Sequence, residues 1–307
     1  MTLRTSSTSL WRPGNLLAAC GVGLLKAGAR LPLRWTRPLG AGIGALAALL
    51  FPFRRRVALV NLRLCFPELE ERARRRLLRR HYRSMGMGIF ELGAAWYQSD
   101  AQIRRLGTVR GLEHLKAVKD SGRGALLVTA HFTTLEIGGR LLLAHHPFSC
   151  LYRSPNQPVI AAAMTAARAA RMRRMIHFDR LPELVRALRE GEFVWYAPDQ
   201  GRTFKYSAIL PFFGVPAVTN TATGRIARMG NAAVLPFLGW RRPDGQYAVE
   251  IFPELTDLPE DPEAEGVLIN RLFEDFIRKA PDQYFWLHRR FKHRGPEYPD
   301  AYARGRG

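Results

Sequence analysis

The chain has 307 residues, of which 47% are hydrophobic and 24% charged, a balance that excludes a wholly disordered protein. Its 47 Lys and Arg residues outnumber 26 Asp and Glu residues, so the net charge of +21 should attract nucleic acid, anionic lipid surfaces or acidic proteins. Because zinc-finger spacing, an RNP-like motif and a basic zipper are all missing, we expect no nucleic-acid partner. Three distant cysteines, Cys20, Cys65 and Cys150, lack metal-ligand spacing and indicate reduced thiols.

Two apolar runs occupy residues 1–56, which we predict to be an N-terminal membrane-anchoring region. Residues 15–25 and 39–53 each fall short of the ~20 residues that cross a bilayer. The first run extends further if its two basic side chains snorkel to the interface. We therefore predict a marginal transmembrane or re-entrant anchor at residues 16–33 and an interfacial or buried helix at residues 39–53. Two ordinary core helices are the alternative.

Arginines crowd the next segment, which reads as helical as far as about residue 105. Residues 54–56 are all arginine, and seven more arginines fall within residues 70–83. Basic residues beside an apolar run favour anionic headgroups and mark the cytoplasmic side of a membrane. A solvated helix face is the alternative.

From about residue 108, short apolar runs alternate with helical patterns. Strands are predicted at residues 125–129, 148–152, 193–197, 233–238 and 247–252. Helices are predicted at residues 134–145, 160–174, 181–190, 220–229 and 266–279. This alternation indicates one α/β domain over residues 57–307, with a mostly parallel central sheet flanked by helices on both faces. Functional groups of such folds gather where strands end and helices begin.

A histidine stands at one such place. The run ALLVT leads directly into His131, and Glu136 follows five residues later. Five residues turn about 500° on a continuous helix, so the two side chains would then not share a face. If His131 lies in the turn before the helix, Glu136 can reach back and hold the imidazole as a general base. The alternatives are a capping box formed by Thr133 and Glu136, and a histidine that merely packs in the core.

The segment HFTTLEIGGR resembles the His-x4-Asp/Glu block of the glycerolipid acyltransferase superfamily. It is most similar to the lipid A biosynthesis acyltransferases of Gram-negative bacteria, the lauroyl/myristoyl group, with the lauroyl branch nearest. Four further segments resemble that family's motifs in the same order: NLRLCFPEL at 61–69, LYRSPNQPVI at 151–160, EFVWYAPDQGRTFKYSAILPFFGVPA at 192–217 and APDQYFWLHRRFKHR at 280–294. The third block departs from the family pattern, because no aromatic residue follows Asp199 and Gln200, and the role of Gln200 stays open.

The resemblance implies transfer of an acyl group from acyl carrier protein to a 3-hydroxyacyl hydroxyl of the Kdo-lipid A precursor, without a metal or redox cofactor. It implies His131 as the base and Glu136 as its orienting acid. Five more residues are expected to position substrate: Arg153, Asn156, Asp199, Arg289 and Arg290. Without the resemblance, Asn156 suits an Asx turn, Asp199 suits a turn acid, and the Arg289–Arg290 pair suits a solvated basic face.

The acidic donor protein and the phosphorylated acceptor would both be drawn to an arginine-rich enzyme on the cytoplasmic face of the bacterial inner membrane. Backbone N–H groups at the start of the helix after His131, assisted by Arg153, are candidate donors to the oxyanion. The alternatives are a protein of the same fold that acylates another phospholipid or glycolipid, and a non-catalytic basic protein that binds membranes or nucleic acid.

Overall fold

The computed structural model describes residues 12–201 and 205–303. The chain begins with helices α1 (Pro13–Gly28), α2 (Leu33–Leu50), α3 (Pro52–Cys65), α4 (Glu71–Tyr97) and α5 (Asp100–Arg104). A proline occupies the first turn of both α1 and α3, where its missing N–H and fixed φ suit the start of a helix. Pro52 thus begins α3 directly after the end of α2, and the chain turns a corner at Phe51.

Glycines allow α2 to lie directly on α4. A Cβ on Gly44 would overlap the carbonyl oxygen of Tyr82, and a Cβ on Gly86 would overlap the carbonyl oxygen of Gly40. Only residues without a side chain permit so close an approach of two backbones. Helix α1 also packs on α4, and on a later helix, α8 (Pro158–Ala169).

The predicted transmembrane anchor at residues 16–33 is not supported. Within the described ranges no helix is both long enough and apolar enough to pass through a bilayer. The predicted stretch is interrupted, because α1 ends at Gly28 and α2 begins only at Leu33. Helix α2, which covers most of residues 39–53, buries one face on α4 and exposes the other. The division of the chain at residue 56 stays a prediction.

The remainder is an α/β unit. Its strands are β1 (Gly107–Arg110), β2 (Gly124–Val128), β3 (Ser149–Tyr152), β4 (Met175–His177), β5 (Phe193–Tyr196), β6 (Ser207–Phe212), β7 (Val215–Asn220), β8 (Ala232–Arg241) and β9 (Tyr247–Ile251). Its helices, besides α8, are α6 (Leu112–Asp120), α7 (Leu135–Leu143), α9 (Leu181–Arg189), α10 (Thr223–Gly230) and α11 (Pro262–Lys279).

Seven strands form one sheet in the order β1-β9-β8-β2-β5-β3-β4. All neighbours are parallel except β8 and β9, which confirms the predicted mostly parallel sheet. Strands β6 and β7 form a separate antiparallel hairpin that the sequence did not predict. Each of its strands contains a proline, Pro211 and Pro216, and proline argues against a strand when only local sequence is read.

Strand β2 shows why both faces of the sheet are covered. All five of its residues are buried. Leu126 and Val128 belong to one apolar core, with residues of α9, α10 and α11, whereas Ala125 and Leu127 belong to a second core, with residues of α6, α7 and α8. Successive side chains of a strand point to opposite faces, so an unbroken apolar run requires a helical layer on each side. The predicted flanking helices are confirmed.

Candidate active site

His131 and Asp199 meet at the carboxyl edge of the central sheet. Strands β2 and β5 are parallel neighbours, with Val128 opposite Tyr196 at their ends. His131 is the third residue beyond β2, and Asp199 is the third residue beyond β5. Because neighbouring strands lie about 4.8 Å apart, equal extensions from a matched register bring the two residues together.

Asp199 holds His131 through two hydrogen bonds. The imidazole Nδ1 lies 2.5 Å from Oδ1 of Asp199, and the backbone N–H of His131 donates to Oδ2 over 3.0 Å. The carboxylate side chain is 1% exposed, whereas 34% of the His131 side chain reaches the surface. A carboxylate on Nδ1 fixes the tautomer in which Nδ1 carries the proton and Nε2 is the basic nitrogen.

His131 and Asp199 shift each other's pKa in opposite directions. Burial lowers the pKa of His131, but the Asp199 carboxylate and its hydrogen bond outweigh burial, so the pKa is raised above its usual value. Burial would raise the pKa of Asp199, yet His131 and its hydrogen bonds, with help from Arg290, hold it below the usual value. Asp199 therefore stays ionised beside an imidazole that binds a proton more tightly than a free histidine does.

The C-terminal segment fixes the loop that carries His131. The carbonyl oxygen of His131 accepts a hydrogen bond from the backbone N–H of Phe285 at 2.9 Å, and Thr133 N–H donates to the carbonyl of Gln283 at 2.6 Å. Phe132 and Tyr284 pair between these bonds as an isolated antiparallel bridge. Burial, and then the Asp199 charge, raise the pKa of Tyr284 well above its usual value, so the phenol stays neutral beside the carboxylate.

A buried polar network supports the same loop from behind. Gln283 exchanges two hydrogen bonds of 2.8 Å with the backbone of Arg241 at the end of β8. The Arg241 guanidinium forms a bidentate ion pair with Glu91 of α4, at 2.6 and 3.0 Å, and donates to Ser84 at 3.3 Å. The Ser84 hydroxyl lies 2.8 Å from the Thr133 hydroxyl. Helix α4 is thereby tied to both β8 and the His131 loop.

Glu136 lies in the first turn of α7, where its carboxylate forms an ion pair with Arg168 of α8 and accepts a hydrogen bond from Trp96 Nε1 at 3.2 Å. The predicted contact between Glu136 and His131 is therefore corrected, because the imidazole is held by Asp199. The physical reason is that α7 directs its first turn toward α8 and α4, whereas the pairing of β2 and β5 delivers Asp199 to the ring. The catalytic role of Glu136 stays a prediction.

The capping-box alternative is also wrong. Helix α7 has Thr134 at its N-cap position without a side-chain cap, and the Thr134 hydroxyl instead donates to the carbonyl of Gly239 at 2.8 Å. The Thr133 hydroxyl is engaged with Ser84. The Glu136 carboxylate instead pairs with Arg168 and raises the pKa of that guanidinium in spite of its burial. The Arg168 charge in turn lowers the pKa of His131.

Arg153 and Asn156 lie at the same edge of the sheet. Both belong to the loop after β3, a strand that pairs with β5, and both are exposed. The Arg153 guanidinium lies over the ring of Phe178, 5.5 Å from its centroid. Their position is compatible with substrate contacts, which stay a prediction.

Arg289 and Arg290, adjacent in sequence, have different surroundings. Arg289 is partly exposed, stacks over Tyr302 and lies 3.3 Å from Asp300. Arg290 is only 4% exposed and donates to the carbonyl of Val218 at 2.6 Å, with Thr219 and Asn270 at 3.3 Å. The role of Arg290 in positioning substrate stays a prediction, and at this burial it would act through the groups that it binds. Its guanidinium ties the β6–β7 hairpin to α11 and favours the ionised form of Asp199.

Sequence reasoning did not single out several residues that support the site. Gln283 and Tyr284 fall within the C-terminal motif, so that motif was a usable signal for them. Glu91 and Arg241 carry no local signal, since 150 positions separate them. The described residues contain no group of three or more His, Cys, Asp or Glu side chains placed to hold a metal ion.

Comparison with known proteins identifies the family of the chain. The family described as bacterial lipid A biosynthesis acyltransferase matches residues 4–293. The lipid A biosynthesis lauroyltransferase of Escherichia coli (strain K12) is 38% identical over 96% of this chain and 98% of that protein. The palmitoleoyltransferase of the same pathway and organism is 36% identical over 94% and 95%, and the myristoyltransferase is 24% identical over 92% and 89%. The chain therefore belongs to the bacterial lipid A biosynthesis acyltransferase family and is an acyltransferase.

Proposed function

We propose that this enzyme moves a fatty acyl chain, lauroyl by its resemblance to a lauroyltransferase, from acyl carrier protein to a 3-hydroxyacyl hydroxyl of the Kdo-lipid A precursor. The observation that carries the proposal is the His131–Asp199 pair, which presents a basic nitrogen at the surface of a chain belonging to this family. The similarity to a named lauroyltransferase supports the chain length.

The pair suits acyl transfer to an alcohol. A hydroxyl is a weak nucleophile at neutral pH, so Nε2 of His131 takes its proton while the oxygen attacks the thioester carbonyl. Asp199 stabilises the imidazolium that forms, without itself taking the proton. When the tetrahedral intermediate collapses, the new C–O bond remains and the C–S bond breaks. The imidazolium then returns the proton to the sulfur of the carrier protein, a leaving group whose thiol pKa is about 8.5.

Two further features would assist the reaction, one at the oxyanion of the intermediate and one at the His131 imidazole. Helix α7 begins at Leu135, four residues after His131, and its first N–H groups carry partial positive charge toward that end of the sheet. The Glu136–Arg168 pair places a cation close enough to lower the pKa of His131, which opposes the effect of Asp199. In this proposal Glu136 is a positioning residue that acts through Arg168.

The enzyme would work from the surface of the inner membrane rather than span it. Helix α2 exposes Trp35, Leu39, Ile43, Leu46 and Leu50, all between 41% and 64% exposed and all on one helix face. We call this row the α2 stripe. An apolar stripe of this size on an exposed helix is typical of a helix that lies in the membrane interface.

The reaction is tested with purified enzyme, lauroyl-acyl carrier protein and the Kdo-lipid A precursor, with the product identified by mass spectrometry. His131→Ala should lower the rate about 10³-fold or more, whereas the exposed His145→Ala control should retain it. Transfer by His131→Ala at the wild-type rate would show that the mechanism is wrong. Preferred transfer to another phospholipid or glycolipid, offered in the same mixture, would reassign the acceptor. Acyl donors of different length, offered together, test the lauroyl preference.

The membrane placement has its own test. Leu39→Glu with Leu46→Glu should greatly reduce recovery of the protein with membranes, because two charges would enter the interface. Ile209→Glu, at an exposed apolar position on the hairpin, serves as the control. Unchanged recovery of the double variant would remove the α2 stripe from the proposal.

A further inference from the structure

A concave surface lies between α2, α3 and α4, and His131 does not line it. Its volume is about 780 Å³, which is within the range of sites that bind small molecules. We call its apolar lining the floor: Ala45, Ala48, Leu49, Leu59 and Leu78. We call its basic lining the rim: Arg55, Arg56, Arg75, Arg76, Arg79, Arg80 and Arg83. Neither His131 nor any acidic side chain lines it among the described residues. We call it the arginine groove.

Most of these charges lack an opposite charge. Arg75 pairs with Glu71, and Arg56 donates to the carbonyl oxygen of Ala303. The other five rim arginines, which are exposed, have no ion pair within the part of the chain that the structure describes. Four of the seven, at positions 76, 79, 80 and 83, are three or four residues apart on α4, where like charges repel each other. A bound anion would relieve that repulsion.

Tyr82 provides a separate indication of a ligand. It lines the groove and is 3% exposed, yet its hydroxyl has no hydrogen-bond partner among the described residues. Buried polar groups of native proteins are almost always paired, so an orphaned hydroxyl suggests that a partner comes from outside the chain. Burial raises the pKa of Tyr82 to about 12, against the lowering effect of Arg55 and Arg54, so the phenol keeps its proton and can donate.

The apolar floor and the basic rim together indicate which kind of ligand the groove binds. Guanidinium groups match the geometry of phosphate oxygens and bind them bidentately. The apolar floor requires hydrocarbon next to that phosphate, which neither nucleic acid nor an acidic protein surface supplies. The floor residues Ala45, Ala48 and Leu49 lie on α2 next to Leu46 and Leu50 of the α2 stripe, so the occupant can enter from the membrane interface.

We propose that the arginine groove binds the phosphate headgroup of an anionic phospholipid of the bilayer, with Tyr82 as a further donor and the acyl chains along the floor toward the α2 stripe. His131 does not line the groove, so the proposed lipid is held at a place other than the catalytic histidine. The inference rests on the proposed membrane placement, but not on the reaction. A lipid held there would fix the depth and orientation of α4 at the membrane.

The test compares binding of the purified full-length protein to three kinds of vesicle: phosphatidylcholine alone, phosphatidylcholine with phosphatidylglycerol, and phosphatidylcholine with an equal charge of a sulfonated glycolipid. The groove variant is Arg76→Gln with Arg79→Gln and Arg80→Gln. Its control removes the same charge from exposed positions outside the groove, by Arg105→Gln, Arg110→Gln and Arg186→Gln. Circular dichroism and thermal melting establish that each variant is folded.

We expect wild type to bind phosphatidylglycerol vesicles more tightly than sulfonated ones. The groove variant should bind phosphatidylglycerol vesicles about 100-fold more weakly, at roughly tenfold or less per arginine, and the control should lose much less. Tyr82→Phe, which removes only the hydroxyl, should weaken binding to phosphatidylglycerol vesicles by a smaller factor than the groove variant does. His131→Ala should bind vesicles like wild type while it loses transfer, so that failure of the proposed reaction and failure of this site are told apart.

Three outcomes would overturn the proposal. Equal losses in the groove and control variants would mean that only overall charge matters. Equal binding of phosphatidylglycerol and sulfonated vesicles by both wild type and Tyr82→Phe would remove the phosphate site. Unchanged vesicle binding by the groove variant, together with lost binding to acyl carrier protein, would assign the groove to that protein instead.

Discussion

Asp199 and Glu136, the two acids considered as partners of His131, make different contacts. Asp199 is buried and accepts two hydrogen bonds from His131, although 68 positions separate them. Glu136 is five residues from His131 but pairs with Arg168 and Trp96. The acid that holds His131 is therefore not the one nearest to it in sequence. The register of β2 and β5 brings Asp199 to the imidazole, because it aligns the ends of two strands that are distant in sequence but adjacent in space.

We expect the largest loss of activity from a substitution of Asp199. Asp199→Asn keeps the shape but removes the negative charge that fixes the imidazole tautomer and stabilises the imidazolium. We expect kcat to fall about 10³- to 10⁴-fold with a smaller change in KM, measured by transfer from lauroyl-acyl carrier protein. If Asn at position 199 costs less than tenfold while Glu136→Gln abolishes activity, the orienting acid is Glu136 after all.

The contact between Asp199 and His131 also depends on a rigid loop around His131. Arg241→Met removes one partner of the buried ion pair with Glu91 and leaves that carboxylate uncompensated. We expect a loss of about 3–5 kcal/mol in the free energy of unfolding, measured by urea denaturation. We also expect a lower kcat, because the guanidinium no longer donates to Ser84, which contacts Thr133 of the His131 loop. The double variant Glu91→Gln with Arg241→Met should regain part of the stability. A fully stable Arg241→Met protein would contradict the role assigned to this network.

Glu136→Gln should have an intermediate effect. It leaves the His131–Asp199 pair in place but removes the charge partner of Arg168, so we expect a roughly 10- to 100-fold fall in kcat, the range of a lost supporting contact. Adding Arg168→Met removes the unpaired cation as well. Recovery of stability without recovery of kcat in the double variant would show that Glu136 does more than neutralise Arg168. Full recovery of both would reduce it to a structural partner.

The smallest expected effect is a shift of the pH profile. The base acts as the neutral imidazole, so kcat/KM should fall as the pH drops through the pKa of His131, which the Asp199 charge holds above its ordinary value. In Asp199→Asn the raising effect is lost while burial and Arg168 still lower the pKa. The acidic limb of the remaining activity should therefore move to lower pH. A limb at the same pH in both proteins would mean that another group titrates there.

Local sequence was sufficient for much of the fold. Leu126 and Leu127 stand next to each other in an unbroken apolar run, which predicts a strand buried on both faces, and the structure has one. The same run places His131 beyond a strand end. By contrast, the hairpin of β6 and β7 was missed because Pro211 and Pro216 obscure its strands, and its stability comes from contacts with distant residues such as Arg290.

The N-terminal helices show the same limit. Their apolar content was evident, but the sequence could not say which side chains face α4 and which face outward. Gly44 and Gly86 decide that by allowing the two backbones to touch, and the α2 stripe is left exposed on the opposite side.

The sequence by itself determined the class of the fold, the strand end that carries His131 and the family motifs, because each depends on the periodicity or identity of residues close together in the chain. Only the tertiary structure decided that Asp199 and not Glu136 holds the imidazole, that Arg290 is buried, and that Glu91 pairs with Arg241. Those contacts depend on which strands become neighbours and which faces of helices meet, and that is settled by the burial of whole surfaces rather than by local pattern.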